Sequence, residues 1–330
     1  PPVPGAPLVR GILLGGLFYV PWFAWAWWYY GTPVPHTVTA KAAYTAPVQW
    51  AHLAQLPWLT LTGRSALLDL FLPSYSSFGG WPAFLPRVAH ALGGIAAFAW
   101  LVPRFSVTAR RASLAVFLGM FYLESIILFP WYVPPWTILA AIALALVIDE
   151  LHGHAKAQDW RGLALGLRVT AISLVAFQLV LLAATAWQMR IEQRLVETGV
   201  RRNIGEWLRT HSAPGDTVFL EPLGYIGYFS QLKTYDFPGL SSPEVVAAVK
   251  GGARRYADVI ARLQPVWVVL RPHEAARPEF ASTRVLAGYD LVKSWSALPQ
   301  LDAVTFLPGR VWVEGESQFL LFRKKPAPQP

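Results

Sequence analysis

A histidine and a lysine, His36 and Lys41, follow an apolar segment that ends in aromatic residues. Residues 22–30 of that segment are rich in Trp and Tyr, whose rings are most stable at the headgroup level of a membrane, and the glycine and prolines just beyond oppose further helix. Lysine acts as a point charge toward phosphate and histidine can donate a hydrogen bond, so the pair is suited to hold a lipid-linked phosphate. From spacing alone, an anchoring role for Lys41 at the membrane interface is the favoured alternative.

The stretch from residue 31 to residue 87 contains three further candidates. Arg64 and Arg87 are phosphate-binding candidates on the same reasoning, with anchoring at the membrane again the alternative. Asp69 is the only acidic residue of the stretch. It is therefore the carboxylate there that could act as a catalytic base.

Glu124 lies within an apolar segment, about a turn and a half of helix from the external end of that segment. An unpaired carboxylate is costly at that depth, so the side chain must face protein or water. His90 and Lys41 are possible partners that would make Glu124 part of a cationic site. The alternative is a protonated glutamate that bonds to a neighbouring backbone group.

Three other sets of residues have types that could carry chemistry. Residues 129–135, FPWYVPP, end an apolar segment, and Trp131 and Tyr132 suit a membrane interface. Asp236 is expected at the end of a strand, where it could bond to a sugar hydroxyl or cap a turn, and capping is the favoured interpretation. Residues 149–154 include the carboxylates and imidazoles of a metal or acid/base cluster, but a solvated cytoplasmic turn is the favoured interpretation.

The composition places these residues in a membrane protein. Of 330 residues, 54% are hydrophobic and 14% are charged, which falls outside the range of ordinary soluble proteins. The net charge of +9 is spread along the chain without dense basic runs, so lipid or phosphate is a more suitable partner than nucleic acid. The absence of cysteine excludes disulfides and thiolate metal sites.

Five apolar segments are predicted to cross the membrane as helices, which makes residues 1–189 a transmembrane domain. Lys and Arg concentrate near one set of helix ends, so that side and the N-terminus are predicted to be cytoplasmic. This orientation makes residues 31–87 a long external loop and places everything after Met189 outside the cytoplasm. The predicted crossings span residues 11–30, 88–102, 112–129, 136–148 and 165–189.

Residues 190–330 are predicted to form a separate soluble domain, because charged residues return and helical and strand patterns alternate. The predicted fold class is therefore a multi-pass α-helical membrane domain followed by a soluble α/β domain. Helices are expected over residues 203–211, 243–250 and 253–263, and strands over residues 217–221, 266–270, 311–313 and 319–322.

Short motifs along the chain resemble a known family of enzymes. Residues 29–31, YYG, then residues 35–37, PHT, and then Lys41 resemble a motif of bacterial polyprenyl-phosphate-dependent glycosyltransferases with the GT-C fold. The resemblance is greatest to relatives of the terminal arabinofuranosyltransferases and to protein mannosyltransferases. His36 stands where that family has asparagine.

The resemblance extends to residues 129–135 and 224–240, and it implies a function. A sugar would move from a polyprenyl-phosphate donor to a glycan, lipid or protein acceptor outside the bacterial inner membrane. The polyprenyl-phosphate sugar would be the donor substrate, no cofactor is predicted with it, and a divalent metal is left open. His36 and Lys41 would hold the carrier phosphate, and Trp131 and Tyr132 would line the cavity that lipid carrier and sugar enter.

Members of the family carry their catalytic aspartate in the first external loop after their first membrane helix, and no equivalent acidic motif stands here. We therefore expect the chain to be the C-terminal, carrier-binding part of such an enzyme, with Asp69 as a substitute base. The alternative is a non-catalytic membrane protein whose periplasmic α/β domain binds a glycan or a partner subunit.

Overall fold

The computed structural model describes residues 6–45, 48–73, 75–125 and 129–326. Of the described residues, 69% are helical, and the C-terminal region contains a mixed sheet of five strands. The predicted order, a helical region followed by an α/β region, is confirmed.

The helical region contains seven α-helices in the described residues. They are α1 (Ala6–Tyr30), α2 (His36–Tyr44), α3 (Trp50–Leu61), α4 (Leu85–Phe98), α5 (Val107–Ser125), α6 (Pro134–Ala157) and α7 (Arg161–Ile191). Short 3-10 helices lie at Ala66–Phe71, Ser76–Phe78, Ala99–Leu101 and Pro130–Tyr132. The predicted external loop is thus largely helical, since its apolar residues recur at helical spacing in α3.

Helices α4, α5 and α6 form the packed core of this region, together with the 3-10 helix at Ala66–Phe71. Glycine residues allow these helices to approach one another closely. A Cβ atom on Gly119 would lie 2.1 Å from the Trp136 ring, and one on Gly93 would lie 2.6 Å from the Leu68 carbonyl oxygen. Small residues at such contacts let two backbones approach closely. The 3-10 helix is therefore held tightly against α4.

In the described part of the chain, three helical segments are long and apolar enough to cross a membrane: Val9–Tyr29, Pro134–Ala157 and Arg161–His211. The segment Leu85–Leu101 is apolar but shorter. The third predicted crossing runs beyond α5 into residues 126–128, which lie outside the described part of the chain. The five crossings and their orientation therefore stay predictions.

The longest helix joins the two regions. It begins with α7, continues through a π-helical segment at Glu192–Arg201 and ends as α8 (Arg202–His211). The change of composition after Met189 therefore falls inside one continuous helix. Glu, Gln and Arg dominate the continuation, and these residues favour helix while remaining solvated.

The sheet has the strand order β2-β1-β3-β5-β4. β1 (Thr217–Leu220) is parallel to β2 (Lys233–Asp236) and β3 (Trp267–Leu270), whereas β5 (Gln318–Lys324) is antiparallel to β3 and β4 (Tyr289–Ser296). Its helices are α9 (Leu223–Ser230), α10 (Pro243–Lys250), α11 (Tyr256–Leu263), α12 (Pro272–Ala275), α13 (Pro278–Thr283), α14 (Leu298–Asp302) and α15 (Arg310–Gly315). The largest buried side chains of the interior are Phe219, Trp267 and Phe319.

Several features of this region differ from the sequence prediction, and helices α9, α12, α13 and α14 are not predicted. The predicted strand at residues 311–313 is part of helix α15, in which Val313 is buried and Val311 exposed. Three residues are too few to distinguish a strand from a helical turn by periodicity. β4 is not predicted, because it is an exposed edge strand without apolar alternation, and β2 is predicted only as a strand that ends near Asp236. The other predicted helices and strands are confirmed to within one helical turn.

A buried ion network joins the long helix to the sheet. Arg271, which follows β3, donates to Glu221 at 2.6 Å, to Glu274 at 2.7 Å and to Glu316 at 2.7 Å. Arg201 of the long helix donates to the same Glu316 carboxylate. The exposed fraction of the Arg271 side chain is 8% and that of Glu316 is 7%, so each buried charge depends on its partners.

We predict that the sheet lies outside the cytoplasm and that the connection between α6 and α7 lies inside it. The chain has no cysteine. Single cysteines at Ser294 on β4 and at Gln158 after α6, both exposed, therefore give a clean test. An impermeant maleimide applied to intact cells should label Ser294→Cys and leave Gln158→Cys unlabelled until the cells are opened. The reverse pattern would overturn the orientation.

Candidate functional site

The predicted site residues gather at one end of the helical region. Helices α4 to α7 follow one another through short connections and contact their neighbours in the chain, so they alternate in direction. The beginnings of α4 and α6 therefore lie beside the ends of α5 and α7. At the opposite end of these helices, the connection before α5 contacts the end of α6, since the Ser106 amide donates to the Glu150 carboxylate at 2.8 Å.

Lys41 on α2 contacts the aromatic segment between α5 and α6. Its Nζ donates to the Tyr132 hydroxyl at 2.6 Å, and it lies 4.5 Å from the centroid of the Phe129 ring and 5.9 Å from that of Trp131. Aromatic faces attract a cation electrostatically. Among the described residues, no carboxylate pairs with Lys41. Two predicted site segments thus meet around a lysine whose charge no acid neutralises.

Glu124 is buried near the end of α5, and two donors from the preceding segments surround it. One carboxylate oxygen lies 2.6 Å from His52 Nε2, and the other accepts a hydrogen bond from the Ser65 hydroxyl at 2.7 Å. The predicted partners were the wrong residues, since His90 contacts Asp69 and Lys41 contacts Tyr132. Glu124 therefore orders α3 and the turn after it, and does not contact Lys41.

Asp69 and His90 form a second pair of a carboxylate and an imidazole. The Asp69 Oδ1 atom lies 2.8 Å from His90 Nε2, and 42% of the Asp69 side chain remains exposed. Burial raises the pKa of the Asp69 carboxyl above its ordinary value and nearby Glu124 adds to the rise, whereas the hydrogen bond with His90 opposes it. A reachable carboxylate with a raised pKa and an imidazole to orient it is suited to general-base catalysis.

The two arginine candidates lie at the same end of the helical region as this cluster. Arg64 lies in the turn after α3, Arg87 lies at the beginning of α4, and both are exposed. Neither forms an ion pair with the residues that the structure describes. Their positions agree with anchoring at an interface as well as with phosphate binding, and the contacts favour neither role.

A cavity of about 610 Å³ lies beside His36. The aromatic end of α1, the turn before α2 and the segment before α10 form its walls. The His36 Nε2 atom is buried and has no hydrogen-bond partner in the described part of the chain. A buried polar atom without a partner is uncommon, so it marks a place where a ligand can bond. Lining residues include Trp22, Trp25, Pro35, His36, Leu240 and Ser241.

Asp236 holds one wall of this cavity in place but does not line the cavity. Its buried carboxylate accepts hydrogen bonds from the backbone amides of Leu240 at 2.6 Å and Ser241 at 3.0 Å, and from the Ser242 hydroxyl at 2.6 Å. Asp236 therefore caps the turn that precedes α10, which is the favoured interpretation of the sequence. It holds Leu240 and Ser241 against the cavity and does not face the cavity itself.

Residues 149–154 do not form a metal site. They lie in the last turns of α6, whereas a turn was predicted, because the helix continues to Ala157 before the chain reverses. Within the described ranges, no group of three or more His, Cys, Asp or Glu side chains is arranged to hold a metal ion. Glu150 instead holds the beginning of α5 through Ser106.

His52 and Ser65 are site residues that the sequence analysis missed. His52 lies on α3 among apolar residues and Ser65 lies in the turn after that helix, and neither belongs to a motif. The sequence indicates such partner residues only indirectly. A carboxylate buried in an apolar helix requires donors from elsewhere in the fold, but the sequence does not say which side chains supply them.

Comparison with known proteins gives one partial match. A family described as Domain of unknown function (DUF8728) matches residues 187–318, which comprise the end of α7, its continuation and the sheet up to the beginning of β5. No curated protein and no solved structure matches the chain.

We expect the Asp69 carboxyl to titrate above its ordinary range, and higher still in His90→Phe. Phenylalanine keeps the bulk of the side chain but removes the hydrogen bond that lowers the pKa. Carbon-13 NMR of aspartate-labelled protein in detergent micelles measures both values, and Asp69→Asn identifies the signal by its loss. An ordinary pKa in the wild type, or the same pKa in His90→Phe, would contradict this account of the pair.

Proposed function

We propose that the chain is the carrier-binding part of a membrane glycosyltransferase that moves a sugar from a polyprenyl-phosphate donor to an extracytoplasmic glycan, lipid or protein acceptor. The observation that carries the proposal is the position of Lys41 against Trp131 and Tyr132. Lys41 has no acidic partner among the described residues. A cation of this kind, held beside aromatic rings at the end of apolar helices, suits a phosphate attached to a lipid.

The proposed reaction is a single displacement at the anomeric carbon. The acceptor hydroxyl oxygen forms a bond to that carbon while the bond from the carbon to the phosphate oxygen breaks, and the lipid phosphate leaves with the electron pair. Lys41 stabilises the charge on the departing phosphate. A base takes the proton of the acceptor hydroxyl, and Asp69 is the candidate for that role because its carboxylate is reachable and paired with His90.

The finer features of the fold belong to the same proposal. Residues 1–189 form a multi-pass, GT-C-like domain in a bacterial inner membrane, and residues 190–330 form an extracytoplasmic domain. The concentration of Lys and Arg at one set of helix ends and the apolar surfaces of α1, α6 and α7 support this arrangement. The cavity beside His36 would take an apolar part of the carrier, since aromatic and proline side chains line it.

A second candidate function is that of a non-catalytic membrane protein that binds a glycan or a partner subunit. The capping role of Asp236 favours it, because that buried carboxylate is occupied by the turn before α10 and is unavailable as an acid or base of the sheet domain. In this case the cavities would serve binding alone.

Lys41→Gln should weaken the binding of farnesyl phosphate by about ten- to a hundredfold, because a charge-assisted contact contributes roughly 1.5 to 3 kcal/mol. Lys41→Arg should give a partial loss, since the planar guanidinium replaces the ammonium imperfectly. His36→Asn, which introduces the family's residue, should retain binding. Calorimetry on the detergent-solubilised protein measures these affinities.

Lys250→Gln is the matched control, because Lys250 is an exposed lysine at the end of α10. It should bind farnesyl phosphate as the wild type does. Equal affinity of wild type, Lys41→Gln and Lys41→Arg would remove Lys41 from the phosphate site. If a free glycan also bound, that result would favour the second candidate function.

A further inference from the structure

A second cavity, of about 350 Å³, lies where the long helix leaves the helical region. It is distinct from the cavity beside His36. One wall comes from α7 and its π-helical continuation, and the opposite wall comes from two loops of the helical region. Its lining includes Tyr75, Trp131, Gln188, Glu192, Gln193 and Glu197. No predicted role covers these residues except Trp131.

Aromatic rings form one side of this cavity. Tyr75 stacks on Trp312 of α15 with ring centroids 4.0 Å apart and an angle of 2° between the planes. The Trp131 side chain is 53% exposed, so its ring is accessible from the cavity. Flat aromatic faces are the usual apolar surface for a ligand that also carries polar groups.

Hydrogen-bonding side chains form the other side. The Glu192 carboxylate accepts a hydrogen bond from Trp312 Nε1 at 3.3 Å, and Gln193 donates to the Tyr225 hydroxyl at 2.5 Å. Carboxylates supply acceptors, and amides supply both donors and acceptors. Glu197 pairs with Arg201, whereas no ion pair of Glu192 is found in the described part of the chain. The Glu192 carboxylate therefore disfavours an anionic ligand in this cavity.

The backbone of both walls is unusual. Tyr75 has a φ of 63°, a left-handed conformation that a bulky residue rarely adopts. The opposite wall includes the π-helical segment Glu192–Arg201, and π-helical turns occur frequently at functional sites. Strained or irregular backbone on two facing walls is a pattern found at ligand sites.

We propose that this cavity binds a neutral sugar ring, with the aromatic faces of Tyr75 and Trp131 against its apolar side and Glu192 as an acceptor for its hydroxyl groups. Trp131 both lines the cavity and lies 5.9 Å from Lys41 Nζ. A sugar here therefore lies next to a phosphate held at Lys41. The assignment of this sugar to glycosyl transfer rests on the proposed function.

The sugar can come from the lipid-linked donor or from an acceptor glycan, and two measurements on the full chain in detergent distinguish these sources. Saturation-transfer NMR tests free methyl glycosides of glucose, mannose, galactose and arabinofuranose, which represent the acceptor. Calorimetry compares farnesyl phosphate with farnesyl phosphoryl mannose and farnesyl phosphoryl arabinofuranose, which represent the donor. A donor sugar in the cavity should make a glycosylated lipid bind more tightly than farnesyl phosphate.

Glu192→Gln and Tyr75→Ala should each weaken the sugar-dependent binding by roughly tenfold or more, because they remove a charged acceptor and an aromatic wall. Glu206→Gln is the matched control, since Glu206 lies on the same long helix but pairs with Arg202 on its exposed surface. It should leave both measurements unchanged.

Lys41→Gln separates this inference from the proposed function. It should weaken binding of every phosphate lipid but leave the methyl glycosides unaffected. The inference is overturned if no glycoside binds and no glycosylated lipid binds more tightly than farnesyl phosphate. It is also overturned if sugar binding survives both Glu192→Gln and Tyr75→Ala.

Discussion

The Glu316 carboxylate, which Arg201 and Arg271 share, determines how the two regions of the chain meet. Arg201 belongs to the helix that runs without interruption from the helical region, and Arg271 belongs to the sheet. Removing one member of a buried ion pair typically costs about 3–5 kcal/mol, because it leaves the other charge uncompensated. These ion pairs therefore help to fix the sheet relative to the long helix, together with Val200, Ile204 and Leu208, which pack into the hydrophobic interior of the sheet region.

Three further contacts join the two regions. Tyr75 stacks on Trp312, Tyr44 of α2 contacts Phe237 edge to face at 5.4 Å, and α2 lies against α10. Both cavities lie along this junction, one beside His36 and one beside Tyr75. The segments that connect the long apolar helices supply the cation and the aromatic rings of the proposed binding sites. The long helix supplies their carboxylates and amides. Binding and the relative position of the two regions are therefore consequences of the same contacts.

The sequence predicts the parts of this arrangement that depend on local pattern. Apolar runs locate the long helices, and after Met189 periodicity and turn residues locate α8, α10 and α11 and the strands β1, β3 and β5. Lys41 and Trp131 are identified individually, but their contact joins segments far apart in the chain, and no local pattern encodes it. His52 and Ser65 beside Glu124 were missed for the same reason, as was the cavity at Tyr75. The strand predicted at residues 311–313 is wrong, because periodicity cannot distinguish a strand from a helical turn in so short a segment. Trp312 lies instead in a helical turn, where Tyr75 stacks on it.

The central claim is that a lipid-linked phosphate binds where Lys41 meets the aromatic segment before α6. Photo-crosslinking with a farnesyl phosphate that carries a diazirine next to the phosphate, followed by mass spectrometry of the labelled peptides, tests it most directly. The account predicts labelling within residues 36–44 and 129–136 that excess unlabelled farnesyl phosphate removes. Labelling spread over the apolar surfaces of α1 and α7, and unchanged by that competitor, would contradict it.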